Sequence, residues 1–173
     1  MKTKFSDWEF SSFIFTVGAG TFLHFLFDIS GKNFAAGLIS AVNESTWEHL
    51  KLIFVPYFLF SIVEYYAVGR QYKDFFMVKA KAVILGMLSI TALFYTYSGI
   101  AGTNFAIANI LTFIIGAGIA SVYSYRKMNK SKGGSFAGLV ILTSIMIMFA
   151  LFTFYPLHIG LFLDPVSLSY GIV

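Results

Sequence analysis

Cysteine is absent from this 173-residue sequence, and charged residues are few. The first absence excludes disulfides and thiolate metal sites, and it removes the usual sequence evidence for the redox compartment. Charged residues make up only 12% of the chain, whereas they make up about 25% of a typical soluble domain. Most of the protein surface therefore cannot face water, which excludes an ordinary soluble domain.

Familiar catalytic signatures are also missing. The sequence has no His-Glu-x-x-His, no Gly-x-Ser-x-Gly, no phosphate-binding loop and no dinucleotide fingerprint. A catalytic site would have to be assembled from side chains on different helices. The net charge of +4 does not indicate a nucleic-acid partner, because the basic residues lie between apolar runs, where a membrane explains them.

Apolar residues are abundant, at 58% of the chain, and the mean hydropathy is +0.79. Runs of about 20 apolar residues, enough to cross a hydrocarbon core of ~30 Å, recur along the sequence. They predict an all-α integral membrane protein with one transmembrane domain over residues 1–173. The five predicted transmembrane helices are 10–29, 46–68, 75–97, 105–125 and 136–155.

The ends of the first helix carry two further predictions. We expect this helix to be retained rather than cleaved as a signal peptide, and to begin with a capping box at Ser6-Asp7-Trp8-Glu9. The following segment, 33–42, is apolar but too short to cross the membrane. It predicts a short interfacial or re-entrant segment between helices 1 and 2.

The basic residues alternate between the two sides of the predicted membrane. Ten fall on the side of the N-terminus: Lys2, Lys4, Arg70, Lys73, Lys79, Lys81, Arg126, Lys127, Lys130 and Lys132. Lys79 is expected to extend back to the cytoplasmic interface, and Arg70 to pair with Glu64. Only Lys32 and Lys51 fall on the opposite side. The positive-inside rule therefore predicts a cytoplasmic N-terminus and an extracellular C-terminus.

The remaining polar residues converge on the predicted outer side. This level of the membrane contains all three histidines and four of the eight carboxylates: His24, Asp28, Glu44, Glu48, His49, His158 and Asp164. An ionisable side chain within a span costs several kcal/mol and usually faces a cavity or a partner. The sequence therefore indicates that residues distant in the chain share a polar site.

Imidazole and carboxylate groups are ligands for Zn²⁺ and other divalent ions. We take His24, His49, His158 and Asp164 as candidate metal ligands. Carboxylates that remain free could act as general bases or orient the ligands. For this catalytic work the candidates are Asp28, Glu44 and Glu48.

Structural roles compete with this chemistry. Ser45 and Glu48 have capping-box spacing, and Glu44 and Glu48 suit the positive end of a helix dipole. His24 and Asp28, four residues apart, can form a structural hydrogen bond within the bundle. His158 can lie in an exposed tail, and Asp164 before Pro165 can start a turn.

Three strings carry a resemblance to a known family. They are Asn43-Glu44-Ser45-Thr46-Trp47-Glu48-His49-Leu50-Lys51, the tail Asp164-Pro165-Val166 ending in Tyr170-Gly171-Ile172, and His24-Phe25-Leu26-Phe27-Asp28. The chain resembles an uncharacterised family of small prokaryotic membrane proteins filed as a domain of unknown function. Members carry a Thr-Gly pair after Asp-Pro-Val, where this chain has Ser167-Leu168. The resemblance implies five spans and a prokaryotic plasma membrane, and it implies no activity.

The leading functional hypothesis is a membrane-embedded, metal-dependent enzyme. It would hydrolyse a lipid or another amphiphile at the outer leaflet. Alkaline ceramidases and progestin–adipoQ receptors are membrane proteins that arrange His, Asp and Ser residues around a zinc ion in seven-helix bundles. This chain is similar to them only in site chemistry. The alternatives are a small transporter, channel or ligand-binding subunit with a substrate or proton site in the cluster, and an accessory protein. The sequence leaves the oligomeric state open.

Overall fold

The computed structural model describes residues 4–130 and 134–172, which form a helical bundle. The helices are α1 (Phe5–Ile29), α2 (Phe34–Gly37), α3 (Thr46–Ala67), α4 (Phe75–Ala101), α5 (Ala106–Lys127) and α6 (Ser135–Phe154). Five of them, all except α2, are long and apolar enough to cross a membrane. The prediction of an all-α protein with five such helices is confirmed.

The start of α1 differs from the prediction. This helix begins at Phe5, and Lys4 is its N-cap, with the Lys4 backbone N–H donating to the Asp7 carboxylate at 3.1 Å. The predicted capping box at Ser6–Glu9 is wrong because Glu9 is buried among the helices instead. Of the basic residues used for orientation, Lys2 and Lys132 lie outside the described residues. The cytoplasmic N-terminus stays a prediction.

Helix α3 lies at the centre of the bundle. It contacts α1, α4, α5 and α6, and it is the span with the largest buried share. Helix α5 packs between α1 and α4, and α6 packs on α4. Helices α1 and α3 run in opposite directions, so the end of α1 lies beside the start of α3.

Gly20 on α1 and Pro56 on α3 allow these two helices to pack closely, because glycine has no side chain and proline has no backbone N–H group. Pro56 lies inside α3 and has no N–H to donate to the Leu52 carbonyl. Gly20 of α1 lies against this carbonyl, and a Cβ built on Gly20 would be only 2.3 Å from the Leu52 oxygen. Small residues permit such close helix contacts in membranes. The contact brings His24, one turn further along α1, to the level of His49.

Replacing Gly20 with valine is expected to separate α1 from α3. Overpacking of this kind lowers the free energy of unfolding by roughly 1–3 kcal/mol. It would also weaken the binding of any ligand held jointly by His24 and His49. Thermal unfolding of the purified protein and a metal-binding titration measure the two effects. Gly18→Val is the matched control, because a Cβ at Gly18 meets no atom within 4 Å. Equal behaviour of the two variants would contradict the contact.

The segment after α1 does not cross the bundle. Its one-turn helix α2 is capped by Asn33, whose side chain accepts from the Ala35 N–H at 2.8 Å. Ala36, Ser40 and Ala41 are buried. This confirms the prediction of a short non-spanning segment between the first two long helices.

The C-terminal tail folds over the start of α3. Asn43 donates its amide N–H to the Gly171 carbonyl at 2.7 Å, and the Trp47 N–H donates to the Leu161 carbonyl at 2.9 Å. The Trp47 ring packs against Phe162 of the tail, with centroids 4.8 Å apart. The tail and the start of α3 therefore hold each other in place.

Candidate metal centre

His24 of α1 and His49 of α3 face each other at one end of the bundle. Their Nε2 atoms are 3.2 Å apart. The Glu44 carboxylate lies beside both rings, 3.9 Å from His24 Nε2 and 3.5 Å from His49 Nε2. We call these three residues the His-Glu-His group. One ligand atom from each lies within 4.8 Å of the others.

The start of α3 positions two members of this group. Ser45 is the N-cap and accepts from the Glu48 N–H at 3.4 Å, and Glu44 immediately precedes it. His49 Nδ1 lies 2.9 Å from the Ser45 carbonyl oxygen, which can only accept, so Nδ1 carries the proton. In the neutral ring, His49 Nε2 then presents its lone pair to His24 and Glu44. A second hydrogen bond of this kind orients the metal-binding histidines of many proteins.

The donor atoms lie near the spacing that a small divalent cation requires. Tetrahedral zinc with bonds of about 2.0–2.1 Å places its ligand atoms roughly 3.3 Å apart. The two Nε2 atoms are 3.2 Å apart, and the Glu44 distances run to different oxygens, 3.9 Å from His24 to Oε1 and 3.5 Å from His49 to Oε2. With one ligand atom taken from each residue, the three atoms lie within 4.8 Å of one another. Two histidines and one glutamate are also a ligand set of catalytic zinc sites, which keep a fourth position for water. Small side-chain movements would complete such a site.

The His24 ring has a nitrogen without a hydrogen-bond partner in the described part of the chain. Its Nδ1 is buried and has no hydrogen-bond partner among the described residues. Because His49 Nε2 is an acceptor, the 3.2 Å contact requires the His24 proton on Nε2. A cation between the rings would replace this hydrogen bond, and the His24 proton would move to Nδ1.

Two cavities meet at the His-Glu-His group. One, of about 380 Å³, lies between α1 and α5 and is lined by Gly20, Phe25 and Ile110 in addition to the group itself. Phe25 and Ile110 are exposed on the surface that would face lipid. The other, of about 130 Å³, runs toward α4 and the tail. On α3, neither cavity is lined by a residue beyond Leu52.

Polar side chains on α5, on α3 and in the loop between α4 and α5 face the same space. Asn109 lines both cavities, and Asn104 and Thr46 line the smaller one. The Tyr97 hydroxyl donates to Asn109 Oδ1, and the Asn109 amide donates to Asn104 Oδ1 at 3.3 Å. Sequence reasoning missed these residues, because uncharged amides at a helix start resemble ordinary loop residues.

Asp164 lies close to this end but has a different surrounding. It is 5% exposed, and its carboxylate accepts from the Val166 N–H at 2.8 Å and the Ser167 hydroxyl at 2.7 Å. Burial alone raises the pKa of Asp164. Hydrogen bonds from these groups and from the Glu44 backbone outweigh it, so the pKa is lowered from its usual value. Asp164 therefore ties the tail to the backbone of Glu44.

Substituting Asp164 with asparagine is expected to weaken the hydrogen bonds that join the tail to the backbone of Glu44. The lowered folded-state pKa means that Asp164 stabilises the wild type above its unfolded pKa, about 3.9, and that this contribution is lost as the pH falls through the lower folded value. Thermal unfolding from pH 7 to below pH 4 should show this loss in the wild type, with a smaller acid effect in the variant. Asp28→Asn, at an exposed carboxylate, is the control. Identical pH profiles for wild type and Asp164→Asn would contradict the role.

Glu48 belongs to a separate buried network. Its carboxylate accepts from Lys51 Nζ at 2.5 Å, from the Val42 N–H at 3.0 Å and from the Thr153 hydroxyl at 2.9 Å. Lys51, in turn, donates to the Gly37 carbonyl at 2.9 Å. The network joins α3, α6 and the segment after α2. Lys51 is therefore buried inside the bundle.

The other two predicted residues lie on the surface. Asp28 is exposed one turn beyond His24 and is outside the His-Glu-His group. His158 is exposed and stacks on Tyr170 of the tail, with centroids 4.6 Å apart. The structure thus brings together His24, Glu44 and His49, leaves Asp28 exposed, and places Glu48, His158 and Asp164 in other contacts. The predicted catalytic and ligand roles stay predictions.

At the opposite end of the bundle, two expectations were wrong. Lys79 is fully buried rather than extended to the interface. Its Nζ donates to Glu9 at 2.9 Å and to Glu64 at 2.6 Å, so Glu64 pairs with Lys79 and not with Arg70. The Arg70 guanidinium lies over the Tyr66 ring, 4.6 Å from its centroid. Charge spacing along one helix could not show a pair formed across three helices.

The chain matches a protein-family model over almost its whole length. The family model described as "Family of unknown function (DUF6512)" matches residues 1–172. This agrees with the resemblance to an uncharacterised family. No curated protein and no solved structure matches the chain significantly.

Proposed function

The chain belongs to the DUF6512 family of unknown function, and from its own geometry we propose that it is a membrane-embedded, metal-dependent hydrolase of a lipid or another amphiphile. The observation that carries the proposal is the convergence of His24, His49 and Glu44. Their ligand atoms, from three separate parts of the chain, lie within 4.8 Å of one another. The proposed setting is the outer leaflet of a prokaryotic plasma membrane.

The ligand geometry supports the metal. The two imidazole rings and the Glu44 carboxylate, each partly exposed, meet beside a cavity. His49 is held in the tautomer that a metal ligand needs, by the Ser45 carbonyl. A divalent cation bound there would polarise a carbonyl or phosphoryl group and lower the pKa of bound water toward neutrality.

The cavities support an amphiphilic substrate. The larger cavity contacts the His-Glu-His group on one side and has Phe25 and Ile110 at its lipid-facing edge. An acyl chain would lie along this edge, with its polar end at Glu44. The Asn109 amide, which lines both cavities, would donate a hydrogen bond to the oxygen of the group under attack.

The shape of the cavities favours an enzyme over a channel. A transport path would require a lumen that continues along α3 toward Glu64. The two cavities at the His-Glu-His group have no lining residue on α3 beyond Leu52. This supports chemistry at one end of the bundle.

The experiment is hydrolysis in reconstituted vesicles. Protein stripped with a chelator and reloaded with Zn²⁺ would be given a panel of fluorogenic ester, amide and phosphoester amphiphiles. We expect release of product by the zinc-loaded wild type and a loss of at least about 100-fold in the stripped protein and in His49→Ala. His158→Ala, at an exposed histidine of the same end, is the matched control and should retain activity. Stoichiometric metal without hydrolysis of any class in the panel would contradict the hydrolase.

A further inference from the structure

A second buried polar group lies at the end of the bundle opposite the His-Glu-His group. Glu9 of α1, Glu64 of α3 and Lys79 of α4 meet through Lys79 Nζ, which donates to Glu9 Oε1 at 2.9 Å and to Glu64 Oε2 at 2.6 Å. We call these residues the Glu-Lys-Glu group. Lys79 and Glu64 have no exposed surface, and Glu9 is 3% exposed. No step of the proposed hydrolysis uses them.

The charges of this group do not balance. Two carboxylates and one ammonium leave a net charge of −1 when all three are ionised. Among the residues that the structure describes, the other groups facing the site add no positive charge. These are the Tyr57 ring on α3 and the Phe5 and Phe75 rings, whose centroids lie 5.3, 5.8 and 5.4 Å from Lys79 Nζ. An unbalanced charge in a dry interior costs several kcal/mol and is usually neutralised by a proton.

The hydrogen bonds of the group are incomplete at two carboxylate oxygens. Glu9 Oε2 and Glu64 Oε1 are buried and have no hydrogen-bond partner among the described residues. Glu9 Oε1 accepts from both Lys79 and the Ser124 hydroxyl, the latter at 2.5 Å. For Glu64 the structure gives a single donor, Lys79. Of the two carboxylates, Glu64 is therefore the less well stabilised as an anion.

We infer that the Glu-Lys-Glu group is a proton-binding site, in which Glu64 holds an exchangeable proton on Oε1 at neutral pH. The proton comes from water and returns to it, so the group alternates between a net charge of −1 and zero. Glu9 and Lys79 remain an ion pair in both forms. Glu64 lies three residues before the end of α3, which is about 5 Å of helix.

This assignment gives the protein a protonatable site that is independent of the metal. It lies on the three helices that also pack around the centre of the bundle, and a change in its charge changes the electrostatic energy of their packing. Its presence does not depend on the proposed hydrolysis. The failure of either proposal therefore leaves the other unaffected.

Infrared spectroscopy of the purified full-length protein in lipid nanodiscs tests the inference. At neutral pH the wild type should show the C=O stretching band of a protonated carboxylic acid, and the band should shift in D₂O because its proton exchanges. Raising the pH should remove it. Glu64→Gln should abolish the band, whereas Asp7→Asn, at an exposed carboxylate of α1, should leave it unchanged.

Several results would overturn the assignment. These are the absence of the band in the wild type at neutral pH and its persistence in Glu64→Gln. A fully ionised group that is stabilised by added Na⁺ would show that a metal cation supplies the missing charge instead. Because the D₂O shift and the alkaline titration use only the wild type, poor folding of a variant would not prevent a decision.

Discussion

His49→Ala is expected to reduce Zn²⁺ affinity by at least about 100-fold, and His24→Ala should have a similar effect. Changing a group that only orients a metal ligand already costs about 10–100-fold in affinity, so removing a ligand should cost at least as much. Each imidazole contributes one of the three donor atoms of the His-Glu-His group. A titration of chelator-treated protein with Zn²⁺, read by calorimetry or by metal analysis after gel filtration, measures the change.

His158→Ala provides the control for a general effect of losing a histidine. His158 lies at the same end of the bundle, but it is exposed and stacks on Tyr170. Its replacement should leave the affinity within about twofold. Equal losses in the variants of His49 and His158, or undiminished binding without His49, would be incompatible with the site. Acidification should also weaken Zn²⁺ binding, since protons compete for the imidazole nitrogens.

Lys51→Met is expected to destabilise the protein by about 3–5 kcal/mol, the cost of leaving one partner of a buried ion pair uncompensated. Lys51 has no exposed side-chain surface, and its Nζ lies 2.5 Å from Glu48. Removing it leaves a carboxylate in the interior, with Thr153 and the Val42 N–H as its remaining hydrogen-bond donors. Unfolding by heat or denaturant in a fixed detergent measures the loss.

The double variant Glu48→Gln/Lys51→Met separates charge imbalance from lost packing. It removes both charges, so most of the stability should return, because a neutral pair in a bundle interior avoids the uncompensated charge. Lys81→Met is the control on α4, where the side chain is exposed, and it should change stability by less than about 0.5 kcal/mol. A double variant as unstable as Lys51→Met alone would mean that the charge of Glu48 is not the cause.

The spans were predictable because hydropathy acts over about 20 residues at a time. The five long helices and the non-spanning segment follow from apolar run length alone. The start of α1 was not predictable in the same way. Glu9 has capping-box spacing from Ser6, but its carboxylate is paired with Lys79, which is 70 residues away in the chain. Local spacing cannot compete with a charged partner on another helix.

The sequence could predict the height of the candidate site in the membrane, but it could not predict which side chains contact one another there. Topology places His24 and His49 at a common height, and the close packing at Gly20 brings their rings together. The same height includes Glu48 and Asp164, yet their carboxylates point into hydrogen-bond networks of their own. The direction of each side chain depends on its partners, and sequence spacing alone does not show those partners.

Anomalous X-ray scattering from crystals of the zinc-loaded protein tests most directly whether a divalent ion binds between His24, His49 and Glu44. Difference maps recorded on either side of the zinc absorption edge should contain one strong peak, within bonding distance of both Nε2 atoms and the Glu44 carboxylate. Maps that are featureless at this position, or that contain zinc only at other residues, would contradict the account.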